Sequence, residues 1–153
     1  MGRVNFGNIE GVLLTPLTII PGELGNVLHA MTNSSAGFGG FGEAYFSTVT
    51  QGKIKGWKKH TRMTLNLVVP AGNVTFVLYD DRKESRTFGT FFKTGLSPES
   101  YRRLTVPPHI WFAFQGDGEP LNLVLNIADL PHDPQEIESL PINDPKFSAD
   151  VWK

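Results

Sequence analysis

The residues best suited to move protons lie in one short run, Lys55-Gly56-Trp57-Lys58-Lys59-His60. An unperturbed imidazole titrates near neutral pH, so His60 can act as base or acid. A lysine ammonium can face a developing oxyanion, and burial lowers its pKa until it can itself accept a proton. Successive side chains of a strand leave opposite faces, so Lys58 and His60 share a face. Lys53, Lys55 and Lys59 fall on the other face unless Gly56 bulges the strand. The segment Glu43–Thr50 alternates in the same way and sets Glu43 and Tyr45 on one side. Asn66 and Asn126 stand in otherwise apolar strands, where a buried amide needs partners; a polar cavity lining accounts for them. Trp57 and Trp111 could stack on a base or a sugar, or pack in the core.

Each of these residues has a plainer reading. His60 could be a hydrogen-bonded barrel histidine. The lysines could form a solvated basic edge that keeps a strand from pairing with other chains. Asp80 and Arg82 read as a structural ion pair at a strand end, and His109 and His132 as exposed loop residues.

The elements that must position these side chains are strands. Sixteen glycines and eleven prolines interrupt the chain every few residues, too often for long helices. Between them lie short runs rich in Val, Ile, Thr, Phe and Tyr. Strands are expected over 11–20, 26–31, 43–50, 55–60, 65–69, 74–80, 87–92, 103–106, 111–115 and 121–127. A Ser/Gly/Phe-rich loop spans 33–42, and an extended tail from Pro131 wraps the body. About ten short strands separated by turns indicate a sandwich or barrel.

The chain has 153 residues, 40% hydrophobic and 19% charged, with a formal net charge of −1. That is enough apolar material for one core, and too little positive charge for a nucleic-acid footprint. With no cysteine, thiol nucleophiles, disulfides and thiolate metal sites are excluded. No run approaches the roughly 20 apolar residues of a membrane span. Asn5, Asn8 and Glu10 interrupt the start, so no signal peptide is read there. A soluble, cytoplasmic protein is expected.

Two resemblances sharpen this. Gly52, position 58, His60, position 65 and Gly72 keep the spacing of the cupin metal motif, but two of its ligand positions hold Lys58 and Leu65. The remaining histidines, His29, His109 and His132, are scattered, so no metal is expected. The second half of the chain resembles the dTDP-4-dehydrorhamnose 3,5-epimerases. Leu96-Ser97-Pro98-Glu99-Ser100 followed by Val106-Pro107-Pro108 is similar to their "LSxEN…IPP" stretch. Asp80, Arg82, Ser85 and Thr87-Phe88-Gly89 match "DxRxxSxTFG". Asn143-Asp144-Pro145 before Trp152 matches the "NDP…W" ending, and Lys55-Gly56 stands where that family has Arg-Gly.

The resemblance implies an all-β double-stranded β-helix, the cupin jelly roll, as a single domain over 1–153. Residues 1–42 would be N-terminal strands and loop, 43–130 the barrel, and 131–153 the tail. It also implies a homodimer and a nucleotide-sugar ligand. The implied function is that of an epimerase or isomerase acting on a nucleotide-linked 4-keto-6-deoxy sugar. A 4-keto group acidifies its neighbouring C–H bonds, so the reaction needs a base, a donor to the enolate and no cofactor.

The family's catalytic columns are largely replaced. Its basic His falls at Lys58, a second His at Phe112, its late Tyr at Leu125 beside Asn126, and its Lys near Leu65 or Asn66. Against the related sugar 3,4-ketoisomerases, with "RGxHAH", the second His is retained as His60, and Tyr45 resembles the Tyr that precedes the motif. The expected catalytic residues are therefore His60, Lys58 and Tyr45. Lys55, Glu43, Asn66, Asn126 and Trp57 are expected to contact substrate. Two alternatives stay open: a cupin that binds a sugar nucleotide without turning it over, and a metal-dependent cupin enzyme.

Overall fold

The computed structural model describes residues 3–153. In chain order the strands are β1 (Leu13–Pro16), β2 (Ile19–Ile20), β3 (Val27–Leu28), β4 (Glu43–Thr48), β5 (Ile54–His60) and β6 (Leu65–Ala71). They continue with β7 (Val74–Asp80), β8 (Phe91–Leu96), β9 (Arg102–Val106), β10 (Ile110–Gly116), β11 (Leu123–Ala128) and β12 (Ile137–Ser139). One antiparallel sheet has the order β1-β9-β6-β11-β4 and the other β12-β5-β10-β7-β8, with β2 and β3 as a separate hairpin. This is the expected all-β cupin jelly roll.

Strand alternation fills the space between the sheets. Leu65, Leu67 and Val69 of β6, Leu104 of β9 and Val124 of β11 meet Phe76, Leu78, Phe112 and Phe114 of the other sheet in one buried cluster. A second apolar layer lies on the back of the β12-containing sheet. There Trp57, Val77, Phe91, Trp111 and Ala113 are covered by Phe147 and Val151 of the C-terminal segment. Phe147 stacks on Trp57 at 4.1 Å between ring centroids. Trp111 also belongs to this layer and donates through Nε1 to Asp81.

Three segments depart from the sequence reading. The tail is not merely extended: Asp133 caps a 3-10 turn over Pro134–Glu136, and β12 then pairs with β5, Ile137 opposite His60. The basic strand β5 is consequently not an edge. The strand expected over 87–92 begins only at Phe91, because 80–90 closes as a turn around Asp80. That fully buried carboxylate accepts from the Arg82 guanidinium and from the hydroxyls of Ser85 and Thr87. Burial alone would raise its pKa, but these bonds outweigh burial and hold it well below the usual carboxylate range. Finally, the apolar run 11–20 divides into β1, which pairs with β9, and β2, which turns away to β3.

Candidate active site

At one end of the jelly roll the first sheet stops at β4 while the second continues through β5 to β12, and a cavity of about 520 Å³ opens between them. Its walls carry Glu43, Tyr45 and Ser47 from β4, and Lys55, Lys58 and His60 from β5. Phe112 and Phe114 form the apolar floor, and His132 and Ile137 of the tail form one side.

Three cations of β5 share this wall because the strand is not regular. Phe112 of β10 pairs with Lys58, but Ala113 pairs with Gly56, so Trp57 is the extra residue of a β-bulge. The bulge brings Lys55, opposite Phe114, into phase with Lys58 and His60, while Trp57 keeps the back of the sheet, where alternation from Lys58 already puts it. Gly56 makes it possible. Its φ is +145°, and a Cβ there would lie 2.4 Å from the Cβ of Ala113. Lys55 Nζ donates to the Thr48 carbonyl at 2.8 Å, tying β5 to the end of β4. Lys58 has no ion-pair partner among the described residues.

His60 is buried at the inner end of this wall, with its Nδ1 against Oε1 of Glu136. The other oxygen of Glu136 accepts from the backbone N–H groups of Arg62, at 3.0 Å, and Met63, at 3.1 Å. Burial of Glu136 raises its pKa, but the bonds from His60 and the two N–H groups outweigh it, and the carboxyl stays below its usual range. An ionised carboxylate accepts only, so Nδ1 carries a hydrogen, and in the neutral ring the lone pair is on Nε2. Nε2 makes no hydrogen bond among the described residues, and the side chain lines the cavity.

Across the cavity, Tyr45 is held from below. Asn126 is its cross-strand partner on β11 and donates through Nδ2 to the Tyr45 hydroxyl at 3.1 Å.

Three expected contacts must be corrected. Trp57 has no exposed surface and lies under Phe147, on the far side of β5 from the cavity, the face that alternation from Lys58 and His60 gives it. Asn66 also faces away: its side chain donates to Gly37 and accepts from Thr105 on the outer face of the first sheet. Alternation on β6 gives the inner face to Leu65 and Leu67. Asn126 is buried beneath Tyr45 rather than lining the cavity. Glu43, Tyr45, Lys55, Lys58 and His60 do meet there.

Glu136 and His132 were not read from the sequence as site residues. Glu136 lies 76 residues from His60. The Asp133-Pro134 pair marks a turn start, but nothing local says which strand that turn docks against.

A family model described as dTDP-4-dehydrorhamnose 3,5-epimerase matches residues 8–152. The chain belongs to this family. A dTDP sugar isomerase from Desulfovibrio desulfuricans G20 is 41% identical, with a TM-score of 0.88 over 92% of this chain and 91% of that one. NovW of Streptomyces spheroides, a 4-keto-6-deoxy sugar epimerase, is 20% identical with a TM-score of 0.83, covering 97% of this chain and 78% of that one. At that identity the likeness is one of fold. A probable low-salt glycan biosynthesis epimerase of Haloferax volcanii, Agl13, is 26% identical over 84 residues, 54% of each chain. The chain thus spans about half the length of that curated relative.

Proposed function

We propose that this protein is an epimerase or isomerase acting on a nucleotide-linked 4-keto-6-deoxy sugar, by proton abstraction beside the keto group. The observation that carries the reading is the convergence of His60, backed by buried Glu136, with Tyr45 and Lys58 on a single cavity. A neutral imidazole with Nδ1–H bonded to a carboxylate presents Nε2 as the base. It takes a proton from carbon and becomes imidazolium, stabilised by Glu136. The electron pair moves to the keto oxygen, and the Lys58 ammonium offsets the developing charge. Lys55, nearer the end of the strand, supplies charge for the diphosphate, and Glu43 hydrogen-bonds sugar hydroxyls. Tyr45 returns one proton to carbon, and solvent reprotonates Tyr45 and relieves His60, so protons balance. These transfers need no cofactor.

Membership of the epimerase family supports the substrate class, as does the 41% identical dTDP sugar isomerase. The exposed Leu24, Val27 and Phe46 support a homodimer. The reading takes 1–153 as one cupin domain working in the cytoplasm; no helix among the described residues is long and apolar enough to cross a membrane.

The test is incubation with dTDP-4-keto-6-deoxyglucose in deuterated water. Deuterium at C3 or C5, or formation of the 3-keto isomer, is expected, and His60→Ala should abolish it. Absence of exchange with any nucleotide 4-keto sugar overturns the reading. A second reading, a sugar-nucleotide-binding cupin without turnover, draws on the Lys58 replacement. It requires ligand-induced thermal stabilisation with the sugar recovered unchanged.

A further inference from the structure

We propose that Asn126 is a positioning residue that aims the hydroxyl hydrogen of Tyr45 into the cavity. This inference rests on the reading of Tyr45 as the proton donor to carbon.

Asn126 is almost fully buried in β11, and both ends of its amide are occupied. Its Oδ1 accepts from the backbone N–H of Asn66 at 3.1 Å, and its Nδ2 donates to the Tyr45 hydroxyl at 3.1 Å. The first contact fixes the second. A backbone N–H only donates, so the amide cannot be reversed without setting its NH₂ against that N–H and losing the bond. Nδ2 must therefore face Tyr45, and the tyrosine oxygen must accept. Its own hydrogen then has to point elsewhere. Among the described residues it meets no other partner, and Tyr45 lines the cavity that His60 enters from the facing sheet. A hydroxyl that rotates freely would spend part of its time directed away from substrate. One pinned by an accepted hydrogen bond is set for donation and gains a partner for the phenolate left behind.

The anchor is itself braced. The side chain of Asn66, on the other face of β6, accepts from the Thr105 hydroxyl at 2.6 Å and donates to Gly37 at 3.1 Å. This holds the backbone that supplies the N–H. The apolar context makes the placement specific: Val124 and Ala128, two residues either side on the same face, belong to the hydrophobic core. An amide at 126 would be costly there without both bonds.

The test is a double-mutant cycle. Asn126→Asp keeps an oxygen for the Asn66 N–H but replaces the donor by an acceptor, which would draw the Tyr45 hydrogen away from the cavity. Turnover of N126D on the 4-keto sugar should fall about tenfold or more, with KM within about twofold. Deuterium wash-in to unreacted substrate, which needs only His60, should persist. In a Tyr45→Phe background N126D should change turnover by no more than about twofold, because its effect passes through the hydroxyl. Should N126D not fold, Asn126→Ser, which is neutral and too short to reach Tyr45, goes through the same cycle. An unimpaired Y45F overturns the role of Tyr45 and the inference with it. An impaired Y45F that N126D slows further by its full factor overturns the inference about Asn126 alone. So does an N126D that loses wash-in together with turnover, which would place the amide with the base.

Discussion

A histidine base is only as good as the group behind it. Behind the proposed base, His60, stands Glu136, whose carboxylate accepts from Nδ1 and would offset the charge of an imidazolium. Glu136→Gln retains the size and the backbone contacts but offers no full charge to the imidazolium. Steady-state kinetics should show kcat reduced by about 10²-fold or more, within the range of positioned acid–base catalysis. The same substitution has a stability signature with a definite sign. The folded-state pKa of Glu136 is depressed, so its ionised form stabilises the fold. That contribution is complete above the unfolded value, about 4.3, and is lost as pH falls through the lower folded value. Urea denaturation should therefore find wild type and E136Q furthest apart near neutral pH and converging under acid conditions. A gap that widens on acidification would contradict the assignment. His60 and Lys58 can be set on one face beforehand because alternation along a strand is a local rule, and Tyr45, on the neighbouring strand, is picked out by the resemblance to the sugar 3,4-ketoisomerases. Glu136 cannot be placed in this way, since its partnership depends on where a distant turn docks. Asn66 was misplaced for a related reason: alternation says which residues share a face, not which face is enclosed.

At the scale of elements, the cavity depends on a single irregularity in β5 and on the cover supplied by the tail. The Gly56 bulge is what lets Lys55 share a wall with Lys58 and His60. Gly56→Ala would push a methyl against Ala113 at a φ that side chains rarely adopt. Thermal or urea denaturation should register a loss of about 1–3 kcal/mol, and Lys55 should lose its bond to Thr48. The tail acts from behind. Phe147 covers Trp57, and its element runs on from β12, which carries Ile137 against His60. Phe147→Ala should cost about 3 kcal/mol in urea denaturation, a value typical of truncating a buried aromatic. Most strands were readable because glycine and proline punctuate short β-rich runs and the alternation between them is clean. The tail was less so. A three-residue strand such as β12 is specified by the strand it joins, not by its own sequence. The bulge was legible as an option, since Gly56 permits it, but its effect on Lys55 follows from pairing with β10.

For the whole molecule, the question is what covers the apolar surface that the fold leaves outside. Tyr45 points into the cavity, so its neighbour Phe46 points out, 63% exposed, beside its cross-strand partner Leu125. β4 is also the last strand of its sheet and has a free edge. The β2-β3 hairpin stands apart from both sheets, with Ile20, Leu24 and Val27 exposed. Apolar groups gathered on an edge strand and on a detached hairpin invite either aggregation or a specific partner. A second copy offers the same surfaces, and the proposed homodimer would cover them by twofold pairing. Sedimentation equilibrium should accordingly give the mass of two chains at micromolar concentration. Phe46→Asp places a charge on that surface without entering the cavity, and each 1.4 kcal/mol it costs weakens association about tenfold. Its mass should shift toward one chain while urea denaturation still shows a cooperative fold. Wild-type protein that sediments as a single chain at every concentration would remove the dimer from the proposal. A monomeric F46D that keeps full turnover would show that the cavity between β4 and β5 works without help from a partner.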